Sequence, residues 1–372
     1  MFIQEFNLNN VIQSMTSMQT GNDEVFLLLV GEHTNWDADE FVHTANSKGL
    51  TFFGGIFPSV ISGGNKYEKG VVIKKFAANV KPVLQTGLNF SNFDMYDLSS
   101  IKSNHTLNKR TAIIMVDGLS TQIARLLEKL YSVLGDSVNY IGGGAGSLSF
   151  VQKPSVFCNK GVFQDAAVIA FVDSDASLGV KHGWEKIDGP FVATKTDRNT
   201  IQELNWDNPF TVYKKAIFED SGENIDHDNF FSIAKSFPFG ITKEHSEYVV
   251  RDPISVNKNG ELVCVGEVLD NTVLDILKGE PDTLVSAAKE AALQAVSYRS
   301  KFSSVLLFDC ISRALFLESD FSRELEGVSG VLKENSCNLE IEGALSLGEI
   351  SSAGQGYLEF FNKTILISLF HE

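Results

Sequence analysis

One order of hydrophobic and polar segments occurs three times along the chain. Each copy contains a nearly continuous apolar strand, an amphipathic helix, a glycine-bearing strand, and a turn into a final apolar strand. The predicted opening strands cover 25–30, 112–116 and 305–309. The predicted helices cover 37–47, 121–134 and 321–334. The glycine-bearing strands cover 51–55, 138–144 and 339–343, and the final strands cover 67–73, 163–169 and 361–367.

These apolar strands indicate the fold class. Strands with few polar positions are buried on both faces, as in sheets that are covered by helices. Each strand–helix–strand segment should cross over right-handed and give parallel pairing, whereas the glycine turns favour antiparallel returns. The sequence therefore predicts an α/β fold with mixed sheets, built from repeated strand–helix–strand–hairpin units. A chance likeness among such units, which are common, is the alternative explanation of the repeat.

The pattern changes between the second and third copies. Residues 177–205 are typical of short strands joined by turns, including a turn at 187–190, and a short helix is predicted after Pro209. The segments 249–253 and 261–265 flank a turn sequence, Asn-Lys-Asn-Gly, and so predict a hairpin.

A strong helix is also predicted in the second half of the chain. Residues 282–298 are rich in Ala, and Asp282 is the expected N-cap. The polar stretch 219–224 is the expected boundary between two parts, which would cover 1–222 and 223–372.

Composition and charge exclude several classes of protein. The chain has 372 residues, of which 31 are Lys or Arg and 47 are Asp or Glu, and its formal net charge is −16. Nucleic acids and anionic membranes are therefore not expected partners, because their phosphates attract basic proteins. With 43% hydrophobic residues the chain can form an ordinary core, and the 28 Phe residues are expected to pack there rather than in an aromatic ligand site.

The cysteines and the amino terminus indicate a cytoplasmic protein. The four cysteines lie far apart without a Cys-x-x-Cys pair, which argues against a zinc ribbon or a redox dithiol and favours reduced thiols. Residues 1–7 lack the basic and apolar regions of a secretory signal, and no apolar run approaches the roughly 20 residues of a membrane helix.

Several catalytic and cofactor motifs are absent from the sequence. No Gly-Lys-Ser or Gly-Lys-Thr occurs, which excludes a P-loop. The glycine run 142–146 leads into Ser-Leu-Ser-Phe rather than a helix, so it indicates a tight turn or a backbone close to a ligand more than a dinucleotide site. His-Glu-x-x-His and Gly-x-Ser-x-Gly are missing as well.

Cys310 is the best candidate nucleophile. It follows the predicted strand 305–309, Arg313 could favour its thiolate, and the distant His182 is a conceivable base. The alternative is a buried, inert cysteine, which is common because free Cys is among the most buried residue types.

Short segments spread over about 25–370 resemble one family. In the first half they are 53–58 (Phe-Gly-Gly-Ile-Phe-Pro), 142–146 (Gly-Gly-Gly-Ala-Gly), 182–184 (His-Gly-Trp), 194–195 (Thr-Lys), 203–204 (Glu-Leu), Pro209 and Tyr213. In the second half they are 237–240 (Phe-Pro-Phe-Gly), 250–253 (Val-Arg-Asp-Pro), 260–262 (Gly-Glu-Leu), 308–310 (Phe-Asp-Cys), Arg313, 348–350 (Gly-Glu-Ile) and 362–364 (Asn-Lys-Thr). Together they resemble the FIST family, named for F-box and intracellular signal transduction proteins. Two departures are Ser312, where the family pattern has Gly, and Phe361, where the family often has His.

The resemblance implies a sensory function. A FIST N part would cover 1–222 and a FIST C part 223–372, with a small ligand such as an amino acid bound between them. Bacterial members often act beside a histidine kinase, a chemotaxis protein or a diguanylate cyclase, so the signal would leave through such a partner. Some stand-alone members bind haem and are implicated in nitric oxide sensing. The haem-ligand candidates here are His33, His43 and His182, of which His182 could equally be a turn or core histidine.

The ligand site is expected where the copies meet. If they pack around a common centre, the glycines and the polar residues after the third opening strand face one another across a cleft. The candidate ligand residues are Gly143, Gly144, Arg251, Asp309, Cys310, Arg313 and Glu349. Either arginine could bind a ligand carboxylate, and a structural ion pair is the alternative for each. A non-enzymatic sensor is thus the first hypothesis, and a haem-based sensor and an enzyme with a Cys310 nucleophile are the alternatives.

Overall fold

Three mixed β-sheets and a closed β-barrel form the frame of the protein. A computed structural model describes residues 1–90, 92–95, 110–242, 248–297, 301–352 and 358–371. In these ranges each sheet has six strands and the barrel also has six. The predicted α/β fold class with mixed sheets is confirmed.

The sheets are described most simply by their spatial strand order. The first contains β1 (Phe2–Ile3), β6 (Val71–Ala77), β2 (Glu24–Gly31), β3 (Phe52–Phe57), β10 (Val156–Cys158) and β11 (Gly161–Phe163). The second contains β7 (Val83–Thr86), β12 (Ala166–Val172), β8 (Arg110–Asp117), β9 (Val138–Ala145), β22 (Glu349–Ser351) and β23 (Glu359–Phe361). The third contains β13 (Ala176–Lys181), β24 (Ile365–His371), β20 (Phe302–Cys310), β21 (Glu342–Ser346), β4 (Ser59–Ser62) and β5 (Asn65–Tyr67).

The strands of the three predicted copies take equivalent places in the three sheets. The opening strands β2, β8 and β20 pair in parallel with the glycine-bearing strands β3, β9 and β21. The final strands β6, β12 and β24 pair antiparallel with the opening strands on the other side. This is the local pairing that right-handed crossovers and glycine turns favour.

Each of the three repeated units also contributes a hairpin to the sheet of another unit. The hairpin β4–β5 extends the third sheet, β10–β11 extends the first, and β22–β23 extends the second. The predicted final strands therefore began too early, because Tyr67, Phe163 and Phe361 end these hairpins. A tight turn separates each hairpin from the next strand, so the apolar pattern continues across two strands that belong to different sheets.

Helices cover the outer faces of the sheets. They are α1 (Leu8–Met18), α2 (Ala38–Ser47), α3 (Ile123–Leu134), α4 (Pro209–Ser221), α5 (Phe230–Ala234), α6 (Pro281–Val296), α7 (Ile311–Leu317) and α8 (Phe321–Glu334). The predicted helices at 37–47, 121–134 and 321–334 correspond to α2, α3 and α8. Among the described residues, no helix combines the length and the apolar composition that are needed to span a membrane.

Two of these helices show how local sequence sets their starts. The Asp37 side chain accepts a hydrogen bond from the Glu40 backbone N–H at 2.9 Å and so caps α2. The prediction that Asp282 caps α6 was wrong, because α6 begins at Pro281 and Glu280 is the N-cap residue. Pro is favoured in the first turn, where its missing N–H has no cost, so the helix starts one residue earlier. The predicted end of this helix at Tyr298 lies outside the described residues.

The segment between the second and third units forms the barrel. Its strands, in spatial order, are β14 (Glu185–Asp197), β15 (Thr200–Leu204), β18 (Leu262–Val265), β17 (Val249–Val256), β16 (Phe239–Ile241) and β19 (Thr272–Lys278). The predicted hairpin is confirmed as β17 and β18. The predicted turn at 187–190 instead lies inside β14, where the register with β19 shifts. Residue 222, the predicted end of the first part of the chain, falls between strands of this one barrel.

The inner faces of the three sheets share an apolar centre. One buried cluster contains Leu29 from the first sheet, Met115 from the second and Phe308 from the third. The rings of Phe57 and Phe308 lie 6.2 Å apart in this centre. The outer faces are buried by α1 and α2, by α3, and by α6 and α8, respectively. Burial on both faces explains why the strands have so few polar positions.

Arg313 of α7 connects the third unit to segments that precede it in the chain. Its Nε and Nη2 donate to the two carboxylate oxygens of Glu324, at 3.0 Å each. Nη1 donates to the carbonyls of His182 and Lys363, and Nη2 donates to the carbonyl of Leu284. All five N–H groups of the guanidinium are thus used. Asp309 Oδ1 also lies 3.3 Å from Nε, so that two fully buried carboxyl groups face one buried cation, and burial raises the pKa of Asp309 well above its usual value.

Substituting Arg313 should therefore destabilise the fold. Removal of the cation in R313M would leave the Glu324 carboxylate buried without a counter-charge, and we expect a loss of about 3–5 kcal/mol in the free energy of unfolding. Urea denaturation would measure it. The control is R323M, because Arg323 is half exposed and forms surface ion pairs, so its loss should change stability little. Equal stability of the two variants would contradict this role of Arg313.

Candidate functional site

A cavity of about 290 Å³ lies between the barrel and the sheets. The loop and first turn that follow β8, at 118–124, form one wall, and the start of α7 at 310–312 forms another. The barrel contributes residues of β17 and of the end of β18, and Phe360 and Asn362 come from β23 and the turn after it. The cavity is therefore built from the second unit, the third unit and the barrel.

Its position follows from the strand directions. β8 and β20 each run in parallel with a neighbour, and α3 and α7 follow their carboxyl ends. Ligands in α/β proteins commonly bind outside the carboxyl ends of such strands. The sequence analysis expected a ligand site just past the third opening strand, where this cavity lies, and ligand binding there stays a prediction.

Asp252 and Asn362 line the cavity, and each has a buried side-chain oxygen without a partner in the described part of the chain. Asp252 Oδ2 lies 3.2 Å from Lys363 Nζ and accepts a hydrogen bond from Ser312 Oγ at 3.0 Å. Burial raises the pKa of Asp252 above its usual value, although Lys363 acts in the opposite direction. Asp252 Oδ1 and Asn362 Oδ1 have no hydrogen-bond partner among the described residues. A ligand with N–H or O–H donors would satisfy them, because an unpaired buried acceptor costs free energy.

Arg251 lines the same cavity. Its Nε donates to the Glu267 carbonyl at 2.8 Å, and Nη1 donates to the carbonyls of Val250 and Phe360 at 3.0 and 3.3 Å. The side chain is buried, yet it forms no ion pair with any carboxylate of the described ranges. Burial lowers its pKa, and the more distant Glu359 and Glu267 act in the opposite direction. A buried guanidinium of this kind is a candidate for binding an anionic group.

A second cavity of about 460 Å³ begins on the other side of Arg251. It is a mainly apolar groove between α3 and the barrel, and Ala124, Arg251, Glu267 and Phe360 line both cavities. Arg251 thus lies at the boundary between the two cavities.

The glycines of the predicted site pack against protein atoms. Gly143 pairs with Glu349 between β9 and β22, and a Cβ atom on Gly143 would lie 2.8 Å from the Phe308 ring. A Cβ atom on Gly144 would lie 2.9 Å from the Leu347 carbonyl oxygen. The glycine run lets the second sheet approach the third closely, and neither glycine lines the two cavities.

The acidic residues of the predicted site lie behind the cavity wall. Asp309 and Glu349 are fully buried and line neither cavity. Glu349 Oε1 accepts a hydrogen bond from Ser346 Oγ at 2.8 Å, and Oε2 accepts one from the Thr364 N–H at 3.3 Å. Arg313 has no free donor for a ligand, so the geometry supports the structural ion pair that was its alternative. Of the seven predicted ligand residues, Arg251 and Cys310 line the 290 Å³ cavity.

Sequence reasoning missed eight polar residues that line the cavity: Ser120, Thr121, Arg198, Asn199, Asp252, Glu267, Ser312 and Asn362. Two of them carried a signal, because Asp252 and Asn362 belong to short segments that support the family resemblance. Ser312 was noted only as a departure from the family pattern. Nothing in the local sequence singles out Ser120.

The thiol chemistry expected of a nucleophile is not favoured here. Cys310 is 3% exposed, and burial together with Glu349 raises its pKa, which disfavours the reactive thiolate. The proposed base, His182, lines neither cavity, and its Nδ1 accepts a hydrogen bond from the Trp184 N–H. The geometry therefore does not join Cys310 and His182 into a catalytic pair.

The cavities do not fit haem ligation either. A haem iron needs an axial side chain, most often His, and no histidine of the described ranges lines either cavity. His33 and His43 are exposed on the surface. In the part of the chain that the structure describes, no three His, Cys, Asp or Glu side chains are grouped to hold a metal ion.

The buried Glu349 should make stability depend on pH. Burial raises its pKa well above the usual value, so the folded protein keeps a proton that the unfolded chain releases above about pH 4.3. The free energy of unfolding should therefore fall as pH rises from there toward the folded pKa. We expect E349Q, which keeps a neutral group, to reduce this fall in urea denaturation measured from pH 5 to pH 8.

Glu342 provides a control of opposite sign. Although burial acts to raise its pKa, the Lys74 ammonium at 2.8 Å holds it below the usual value. E342Q should therefore lose stability at neutral pH, where the wild-type carboxylate is ionised. A pH dependence of E349Q equal to that of the wild type would show that Glu349 does not hold the proton.

Comparison with known proteins identifies the family. No curated protein matches the chain significantly. The model of the FIST N domain matches residues 25–207, and the model of the FIST C domain matches residues 209–352. The two matches cover most of the chain, and they meet between β15 and α4, inside the segment that forms the barrel. The chain therefore belongs to the FIST family.

Proposed function

We propose that this protein is a cytoplasmic sensor that binds a small molecule, such as an amino acid, in the 290 Å³ cavity. FIST domains are associated with sensing in signal transduction. One observation carries the proposal: in the described part of the chain, hydrogen-bond acceptors without a partner and a guanidinium with a free N–H group lie around one cavity. Asp252 and Asn362 offer oxygens to a ligand ammonium, and Arg251 offers a guanidinium to a ligand carboxylate.

The size of the cavity favours a small ligand. Sites for drug-sized molecules commonly measure about 300–1,000 Å³, so a cavity of about 290 Å³ is at the lower end of that range. A compact zwitterion can use both the acceptors and the guanidinium, whereas a purely apolar ligand would leave them unpaired. An amino acid meets both conditions.

The walls of the cavity suggest how binding could be reported. A bound molecule would touch the barrel through β17 and β18, the second unit through α3 and the third unit through α7. Ligand contacts to all three would favour the arrangement in which they are closed around it. We propose that a signalling partner, such as a histidine kinase, a chemotaxis protein or a diguanylate cyclase, recognises that arrangement.

Blocking the cavity tests the proposal. Ala124 is exposed and lines both cavities, so A124W should fill the entrance at little cost to the fold. Isothermal titration with the twenty amino acids should find saturable binding to the wild type, and A124W should weaken it more than about tenfold, or 1.4 kcal/mol. The matched control is S286W, at an exposed position of α6 that lines neither cavity.

Two results would contradict the proposal. One is that no amino acid binds the wild type. The other is that A124W and S286W bind an amino acid equally well, which would place its site elsewhere.

A further inference from the structure

The start of α3 is an uncapped helix terminus at the cavity. The helix begins at Ile123, and its N-cap residue, Gln122, forms no side-chain capping hydrogen bond. The first N–H groups of a helix have no partner within the helix, and this end carries a partial positive charge. Ile123 and Ala124 of the first turn line the cavity, as does the preceding Thr121, whose own N–H already donates to Asn89 Oδ1 at 3.0 Å. A cavity bordered by such a terminus can accept an anion.

Ser120 supplies an independent observation. It precedes the helix, lines the same cavity and is 8% exposed. Its Oγ has no hydrogen-bond partner among the residues that the structure describes. A buried hydroxyl without a partner is unusual in a native protein and indicates a missing acceptor or donor.

Arg251 adds the charge. Three backbone carbonyls fix its Nε and Nη1, which leaves Nη2 without a hydrogen-bond partner in the described ranges. Its position is thereby set before any ligand arrives, which reduces the entropy lost on binding. Arg198, an exposed residue that also lines the cavity, adds a second positive charge. Two acidic residues also line the cavity: Asp252, whose Oδ2 is paired with Lys363, and Glu267, which favours the charged form of Arg251.

We propose that the first turn of α3, Ser120 and Arg251 form a subsite for an anionic oxygen group, either a carboxylate or a phosphate. This assignment rests on the proposed function, because it takes the cavity to be the ligand site. Helix N–H groups, a serine hydroxyl and a guanidinium are all hydrogen-bond donors, and each binds ionised oxygens more strongly than neutral ones. The ligand would then place its anionic group at α3 and its donor groups toward Asp252 and Asn362.

The probes are inorganic phosphate and acetate, which carry the two candidate groups alone. Each is titrated into the full chain at constant ionic strength, set with sodium chloride, and the thermal unfolding midpoint is recorded. A saturable rise in the midpoint is the expected result, because a ligand that binds only the folded state stabilises it. A rise with phosphate alone assigns the subsite to phosphate, a rise with acetate alone assigns it to carboxylate, and a rise with both assigns it to either group.

Two serine variants on α3 and its leading loop locate the effect. S120D puts a carboxylate where the anion would bind, and we expect it to weaken anion binding more than about tenfold through like-charge repulsion. S132D makes the same change of charge on an exposed residue near the other end of α3, which lines the 460 Å³ cavity but not the 290 Å³ one, and it should bind like the wild type. S120A removes only a hydroxyl, for which we expect a loss of about two- to tenfold.

The possible failures are distinct. No response to either anion, or equal binding by S120D and S132D, would overturn the subsite. If an amino acid binds the wild type, is blocked by A124W and is unaffected by S120D, the subsite is wrong while the cavity remains the ligand site. If phosphate binds through Ser120 and no amino acid binds, the subsite holds and the amino acid proposal fails.

Discussion

The buried guanidinium of Arg313 is the constraint on which the site depends. A fully buried Arg requires a partner for every N–H group, and here the partners come from five places in the chain. The Glu324 carboxylate fixes α8, the Leu284 carbonyl fixes α6, and Asp309 fixes the end of β20. The carbonyls of His182 and Lys363 fix the exit of β13 and the turn before β24.

This polar connection reaches the cavity through Lys363. The carbonyl of Lys363 accepts from Arg313, while its ammonium lies 3.2 Å from Asp252 and 4.6 Å from the centre of the Trp184 ring. Lys363 therefore links the third unit to β17 of the barrel. The exchange of hairpins among the three sheets adds a second constraint, because no sheet is complete without strands from another unit. The cavity lies where these connected parts meet the barrel.

Local elements were predictable because their causes are local. The boundaries of α2 follow from Asp37 and the apolar period, and β20 and β24 follow from runs that only a strand buried on both faces would show. The exchange of hairpins was not predictable, since the pattern within β4 or β10 does not indicate which distant strand pairs with it. For the same reason, the sequence pattern did not distinguish each final strand from the hairpin that precedes it.

The site was predictable in part for the same reason. The position past a parallel strand indicated Cys310, and the family resemblance indicated Arg251. Arg313 is chemically just as suitable for binding a ligand. Only the fold shows that its Nε and Nη2 already donate to the carboxylate of Glu324, eleven positions away. The glycine run gave the same ambiguity, because a residue without a side chain permits close approach of a ligand or of another strand. In this protein Phe308 and Leu347 occupy that space.

The central claim is that a ligand in the cavity contacts the barrel and the sheets together. Hydrogen exchange of the full chain, with and without the amino acid that binds most tightly, tests it most directly. Exchange should slow at 118–126 and at both 249–256 and 262–267, because the first segment lies on the sheet side and the other two lie on the barrel side. Slower exchange confined to one side, or found only in distant helices such as α1 and α2, would contradict the account.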